Sequence, residues 1–571
     1  MKKKWVRMAS AALLMFAFGA CDSLDELTDL EVVNENNPDR ERALSEAGDI
    51  ESLIGSAFNI AYDAQFSYDG SAMALSAAAD ETSISWGNTG LQQLSSEPRV
   101  AWPNSTSWNY RNVSEFPWYG NYEALSAVYD ALVGIEEDPT LCNAFDCERA
   151  QAFAKFVQGL ALGWMALQYD SAFIFDETVD LDSDALELQP YPAVMTAALG
   201  YFDAALAAPG SWTLPSGWIS GNPLTKAEFQ QLVHSWRARW MYLQPRTPAE
   251  RASLDWAGLI SHIDQGLTED FTIEGDGDIL WNHDMVWSGE YSTSTTWARA
   301  DYKTIGWTEI SEGTGTGYAN WLATPVADRD EFELNVPDAR IMPQNPRDPQ
   351  GEGLDFLYKG PSQFPSTRGT YHYSFYSHHR YDECPINGMQ CELPIFNYDA
   401  QQLMKAEALF KTGDPAGAAA IVNVTRVGRA DMPAATAGDA DLLDKLIYEY
   451  RMEIFDICPG CAYFTRRGWG SLAPTGPSHH QGLVEGSLLH FAIPGKELEI
   501  LQKLNYTYGG VGNEGASLAA AAGAAGSTGT TVPARLIYAF NDLDTPGEKL
   551  DYIWRGRKTN VSRGVMNLVR H

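Results

Sequence analysis

The chain reads as a mainly α protein in which stacked helical hairpins of the tetratricopeptide kind carry a loop-rich lobe. Three observations predict this. Apolar residues recur at helical spacing through most of residues 49–271, the period breaks down between 272 and 395 in a stretch rich in Gly, Pro, Ser, Thr and aromatics, and it returns from 396 onward. With 571 residues, 45% hydrophobic and 12% aromatic, the chain can bury a large core.

The N-terminus predicts export. Met1-Lys2-Lys3-Lys4 and Arg7 precede an apolar run from Met8 to Phe18, which ends in Gly19-Ala20-Cys21. Basic residues hold such a segment at the inner leaflet while an apolar stretch too short to be a permanent anchor is threaded out. Small residues at 19 and 20 suit a signal peptidase, and Cys21 stands where a lipobox requires its thiol. Residues 1–20 are therefore expected to be a lipoprotein signal peptide, Cys21 the lipidation site, and 21–48 the tether.

Helical faces then follow in order at Ile50 to Ala61, Tyr122 to Ile135, Tyr191 to Leu206, Lys226 to Leu243 and Trp256 to Leu267. The clearest is Phe153, Phe156, Val157, Leu160, Trp164 and Leu167, with Gln151, Lys155 and Gln158 off the face. Gly159 and Gly163 on that helix would let neighbours approach closely. Trp164, Trp236 and Trp240 fall within helical patterns and are expected in the core. No strict repeat of the tetratricopeptide length is present.

From 272 to 395, segments such as Ser311-Glu312-Gly313-Thr314-Gly315-Thr316-Gly317 cannot hold a helix. Glu274-Gly275-Asp276-Gly277-Asp278 offers carboxylates but lacks the long loop and final Glu of an EF-hand, so a turn is expected rather than a calcium site. In Tyr371-His372-Tyr373-Ser374-Phe375-Tyr376-Ser377-His378-His379 the alternation favours a strand, which splits His378 from His379, and no metal site is assigned. A hairpin follows at Tyr398 to Lys411, where Gly413-Asp414-Pro415 supplies a terminating glycine, an N-cap and a first-turn proline. Residues 396–571 are expected to hold this hairpin and a C-terminal region that includes the Ala/Gly/Ser/Thr tract Gly515 to Thr531.

A formal net charge of -35 argues against nucleic acid as a partner. Six cysteines besides Cys21 fall as near neighbours: Cys142 with Cys147, Cys384 with Cys391, Cys458 with Cys461. Short-loop closure in an oxidising space predicts those three disulfides. A redox or zinc role for Cys458-Pro459-Gly460-Cys461 has no second C-x-x-C to support it.

Several stretches, in order, resemble the SusD/RagB family of outer-membrane nutrient-binding lipoproteins. They are Cys21-Asp22-Ser23-Leu24-Asp25; Ile50 to Phe58; Arg149-Ala150-Gln151-Ala152-Phe153; Ala406-Glu407-Ala408 with Asn423 to Ala430; Glu449 to Phe455 running to Arg466-Arg467-Gly468-Trp469-Gly470; and Phe491-Ala492-Ile493-Pro494. Cys458-Pro459-Gly460-Cys461 replaces the family's usual turn, and Thr465 its following Asp. The resemblance implies a surface lipoprotein, lipid-anchored in the outer membrane, that binds oligomeric nutrient and delivers it to a SusC-like TonB-dependent transporter. It implies no catalysis and no cofactor.

Nine of 18 tryptophans lie in two loop-like windows, Trp86, Trp102, Trp108 and Trp118, then Trp281, Trp287, Trp297, Trp307 and Trp321. Indole faces suit the apolar faces of sugar rings and apolar peptide side chains, and the resemblance places the ligand surface in these windows. Trp86, Trp102, Trp108, Trp281, Trp297 and Trp307 are the expected ligand residues, for an oligosaccharide or a peptide. The alternative for each is an anchor that pins a long loop to the helical core. No G-x-S-x-G, H-E-x-x-H or Walker sequence occurs, although a glycan hydrolase needs only two carboxyls suitably apart. A surface glycan hydrolase and a helical assembly scaffold are the competing functional readings.

Overall fold

The computed structural model describes residues 46–85, 89–96, 99, 103–181, 185–286, 298–341, 353–361, 374–471, 488–508 and 532–533. Residues 47–537 form one unit. Its longer helices are α1 (Ala47–Phe66), α2 (Ala72–Ala78), α3 (Asn112–Glu137), α4 (Cys147–Gln168), α5 (Tyr191–Ala207), α6 (Lys226–Leu243), α7 (Trp256–Asp264), α8 (Gly317–Ala323), α9 (Tyr398–Lys411), α10 (Pro415–Arg426), α11 (Leu442–Glu453) and α12 (Cys461–Trp469). The α4–α5, α5–α6 and α6–α7 pairs each pack as chain neighbours, and α7 then packs on α9, α9 on α10 and α10 on α11. That chain of neighbours is the expected stack of hairpins. Among the described residues no helix is long and apolar enough to cross a membrane.

Local chemistry explains the boundaries. Thr225 and Glu228 form a reciprocal capping box at the start of α6. Asp414 accepts a hydrogen bond from Gly417 N at 2.9 Å, Pro415 opens α10, and the preceding Gly413 has φ +92°, as that tripeptide predicts. The helix expected from Tyr122 begins earlier, at Asn112, and takes Pro117 into its second turn.

Close packing uses the small residues of α4. A Cβ on Gly159 would lie 2.5 Å from the Phe202 ring of α5, and one on Gly163 would lie 2.0 Å from the Trp240 indole of α6. Trp164, Trp236 and Trp240 are all in the core. Gln158, expected off the apolar face, is also buried and donates to Glu177 Oε2 at 3.1 Å. Helices pack on several sides of α4, so a single amphipathic stripe underestimates what it buries.

The loop-rich stretch is tied down by short antiparallel ladders. Phe271–Glu274 pairs with Glu392–Phe396, Thr82–Ile84 with Ala298–Ala300, and Phe356–Tyr358 with Tyr376–His378. The backbone of 532–533 pairs with 185–186. Glu274 to Asp278 is a turn: the Asp276 carboxylate accepts from the amides of Ile279, Leu280 and Trp281 at 2.9, 3.0 and 3.2 Å. The six cysteines bond as Cys142–Cys147, Cys384–Cys391 and Cys458–Cys461, with Cα separations of 5.3, 5.1 and 5.4 Å.

Charge runs through the core. Arg340 is fully buried and pairs with Asp338 (2.7 Å), Glu449 (2.8 Å) and Glu453 (3.2 Å). Arg251 meets Glu407 at 2.7 Å, and Tyr242 Oη donates to the same carboxylate at 2.7 Å. Asp80 pairs with Lys303 at 2.9 Å and with Arg99 at 2.5 Å.

Candidate functional site

The end of α1 begins the site. Ser67 Oγ donates to Asp63 O at 2.7 Å and Gly70 N donates to Ser67 O at 2.8 Å, so the chain turns sharply through Tyr68-Asp69-Gly70 into α2. The turn leaves Tyr68 40% exposed, while Met73 and Ala74 of α2 face the interior. Opposite lies the segment that leads into α3, where Trp108 N donates to Ser105 O at 2.9 Å and Val113 N to Tyr110 O at 3.2 Å. Between them stands Gly90 at φ +79°, where a Cβ would sit 2.9 Å from Tyr110 Cβ. A side chain there would both strain the backbone and displace Tyr110.

These segments border a small, partly open concavity of about 50 Å³. Met73, Leu91 and Val113 form an apolar floor; Tyr68, Tyr110, Asn109 and Asn112 stand at the rim. Trp108 lies beside it, half-buried, its ring 6.1 Å from that of Tyr110 and perpendicular to it at 89°. Thr89 also lines the concavity, and its Oγ1 is buried without a hydrogen-bond partner among the described residues. Apolar ring faces next to amide and hydroxyl groups are a surface that can take a sugar ring and read its hydroxyls.

Asn104 positions the Trp108 loop. Its Nδ2 donates to Ile493 O (2.9 Å), Asn505 Oδ1 (3.0 Å) and Tyr506 O (2.9 Å), and its Oδ1 accepts from Gly495 N at 3.1 Å. Thr106 Oγ1 adds a bond to Glu499 at 2.8 Å. The segment with the expected late turn, Phe491 to Pro494, thus braces the aromatic loop. Asn104→Ala should cost about 1 kcal/mol of stability and weaken ligand binding more than that figure suggests, because the rings lose their register. Chemical denaturation and ligand titration of the one variant would measure both. Unchanged affinity in a folded Asn104→Ala protein would show that the brace does not serve binding.

The concavity is electrostatically one-sided. Asp69 lines it half-buried, has no hydrogen-bond or ion-pair partner among the described residues, and burial lifts its carboxyl above the ordinary value. No Lys, Arg or His contributes to the lining among the described residues. The neighbouring Arg111 is engaged elsewhere, with Glu115 at 3.3 Å and Trp108 O at 3.4 Å.

Of the described tryptophans expected to hold ligand, Trp108 alone stands beside this concavity. Trp86, Trp102 and Trp297, like Cys21 and the signal segment, lie outside the described residues. Trp281 and Trp307 pack inward. Each is only 7% exposed, Trp281 against the rings of Phe58 (6.0 Å) and Tyr62 (5.5 Å), Trp307 against Tyr448 (5.4 Å). That packing is what the alternative reading, a loop anchor, expects of them. Trp118 is fully buried, as is Tyr376. His378 Nδ1 lies 3.1 Å from Asp456 while His379 Nε2 turns to Gly353 O at 2.8 Å, and no metal-holding group of His, Cys, Asp or Glu occurs among the described residues. Sequence reasoning missed Tyr68, Asp69, Asn109, Tyr110 and Asn112. Asn109 and Tyr110 directly follow Trp108 and were within its reach, but Tyr68-Asp69-Gly70 carries no signal beyond a turn.

The sequence matches no protein-family model and no curated protein. Solved structures do share the fold. A SusD-like protein from Bacteroides fragilis aligns at 13% identity and TM-score 0.50, over 76% of this chain and 87% of its own. A SusD-like carbohydrate-binding protein from the same organism aligns at 15% identity and TM-score 0.50, over 75% of this chain and 87% of its own. The fold of this chain is therefore SusD-like and mainly α, in agreement with the resemblance found in the sequence.

Proposed function

We propose that this chain is a cell-surface lipoprotein of SusD/RagB type that binds an oligomeric nutrient, a glycan, and delivers it to a SusC-like TonB-dependent transporter, without itself catalysing a reaction. The observation that carries the reading is the concavity on a SusD-like scaffold, where Tyr68 and Tyr110 stand with the amides of Asn109 and Asn112 and Trp108 lies against Tyr110. The carbohydrate binding stated for one structural neighbour supports a glycan over a peptide. Export and anchoring rest on the signal segment and Cys21, and Cys21→Ala should yield a soluble or an unprocessed protein. Firm membrane attachment of a normally cleaved Cys21→Ala form would mean the anchor lies elsewhere.

The test of binding is an oligosaccharide and peptide array with the lipid-free chain, followed by titration of single variants. Trp108→Ala and Tyr110→Ala should each weaken glycan binding roughly ten- to hundredfold, the loss of about 1 to 3 kcal/mol of stacking, with little change in melting temperature. Trp281→Ala should do the reverse, lowering the melting temperature through a core cavity and affecting affinity only as a consequence. If Trp108→Ala and Tyr110→Ala lose affinity only in proportion to lost stability, the rings are scaffold.

A further inference from the structure

We infer that Asp69 makes the concavity discriminate against anionic sugars, so that an uncharged oligosaccharide binds and its uronate counterpart is rejected. The inference rests on the glycan reading of this concavity and adds the charge class of its ligand. Three observations carry it. Asp69 is half-buried in the lining with no hydrogen-bond or ion-pair partner among the described residues, so its charge is not spent on the protein. Those lining residues include no cation that could hold a sugar carboxylate or sulfate, and the nearby Arg111 already faces Glu115. The floor of Met73, Leu91 and Val113 is apolar, which reduces the screening of any charge brought next to Asp69.

The same carboxylate serves a neutral ligand. As an acceptor it takes hydrogen bonds from sugar hydroxyls, which a carboxylate or sulfate on the ligand cannot donate. Desolvation of Asp69 by a bound ring is compensated by those bonds for a neutral sugar and compounded by like-charge repulsion for an anionic one. The chain's net charge of -35 acts in the same direction. Distant charges are nevertheless screened over a Debye length of about 8 Å at physiological salt, so the local carboxylate decides the discrimination.

The experiment titrates the lipid-free protein with neutral gluco-, manno- and galacto-oligosaccharides, each beside its C6-oxidised uronate form, at fixed salt. In the wild type the uronate form of a bound sugar should be weaker by roughly ten- to hundredfold. Asp69→Asn keeps the size and an acceptor oxygen, so the gap should fall to within about threefold while the melting temperature stays unchanged. Equal binding of both forms by the wild type, or a gap that persists in Asp69→Asn, overturns the inference and leaves the glycan reading standing. Binding of neither form of any backbone removes the glycan reading, and this inference falls with it.

Discussion

Arg340→Met should destabilise the protein by about 3 to 5 kcal/mol, the penalty for leaving buried charge without its partner. Among the described residues Arg340 is the only cation within 3 Å of Asp338 and Glu449, and it also touches Glu453 at 3.2 Å, all four side chains having no exposure. The carboxyl of Glu449 is already pushed up to about 7 by burial in spite of Arg340. Removing the guanidinium would force these carboxyls to take up protons or to disrupt the packing of α11. Glu453 retains Arg380 at 2.7 Å, so the damage should centre on Asp338 and Glu449. Urea denaturation of Arg340→Met, and of the same change combined with Glu449→Gln, measures it. The double variant should recover part of the loss, since one orphaned charge is gone. A single variant within about 1 kcal/mol of wild type, the range of an exposed pair, would mean the cluster contributes little.

That cluster also shows what the sequence could reveal. The helical stack was legible because α4, α6 and α9 carry regular apolar spacing and α10 carries a recognisable cap. Glu449, Arg451 and Glu453 stand in the block that resembles the family, yet spacing alone presents them as ordinary surface charges of a helix. All are buried, because their partners arrive from far along the chain: Arg340 for Glu449 and Glu453, Lys303 O and Thr304 Oγ1 for Arg451. Tertiary pairing of this kind leaves no periodic trace.

The aromatic windows were half legible for a related reason. Tryptophan density locates loops that must be held against something, but a ring packed on Phe58 and a ring packed on a sugar have the same composition. Trp281 and Trp307 went inward where α1 and α11 offered them rings. Trp108 stands half-buried beside the concavity, and Asn104 pins its loop to the 493–506 segment. What decides between anchor and platform is which other group already holds the loop.

Glu81→Gln should change the pH dependence of stability by about 4 kcal/mol between pH 5 and pH 8.5, at about 1.4 kcal/mol per unit. Glu81 is 3% exposed, and its carboxyl is pushed up from 4.5 to about 8, first by burial and then by the nearby Asp456, against the lowering effect of Ser76, Arg451 and Arg466. In the pH window between those two values the native state keeps a proton that the unfolded chain has released. Raising pH through it therefore lowers stability, with the full penalty present above about 8 and none below about 4.5. Glu497, pushed up to about 7, slopes the same way, whereas His283, pushed down to about 4, stabilises as pH rises and ceases to contribute above its unfolded value near 6.5. These other groups are common to wild type and variant, so the difference between the two unfolding free energies isolates Glu81. Gln mimics the protonated acid, so the two proteins should be close in stability at pH 5 and the variant clearly more stable at pH 8.5. Parallel stability profiles across that range would show that Glu81 is ionised in the native core, its charge balanced by Arg451 and Arg466.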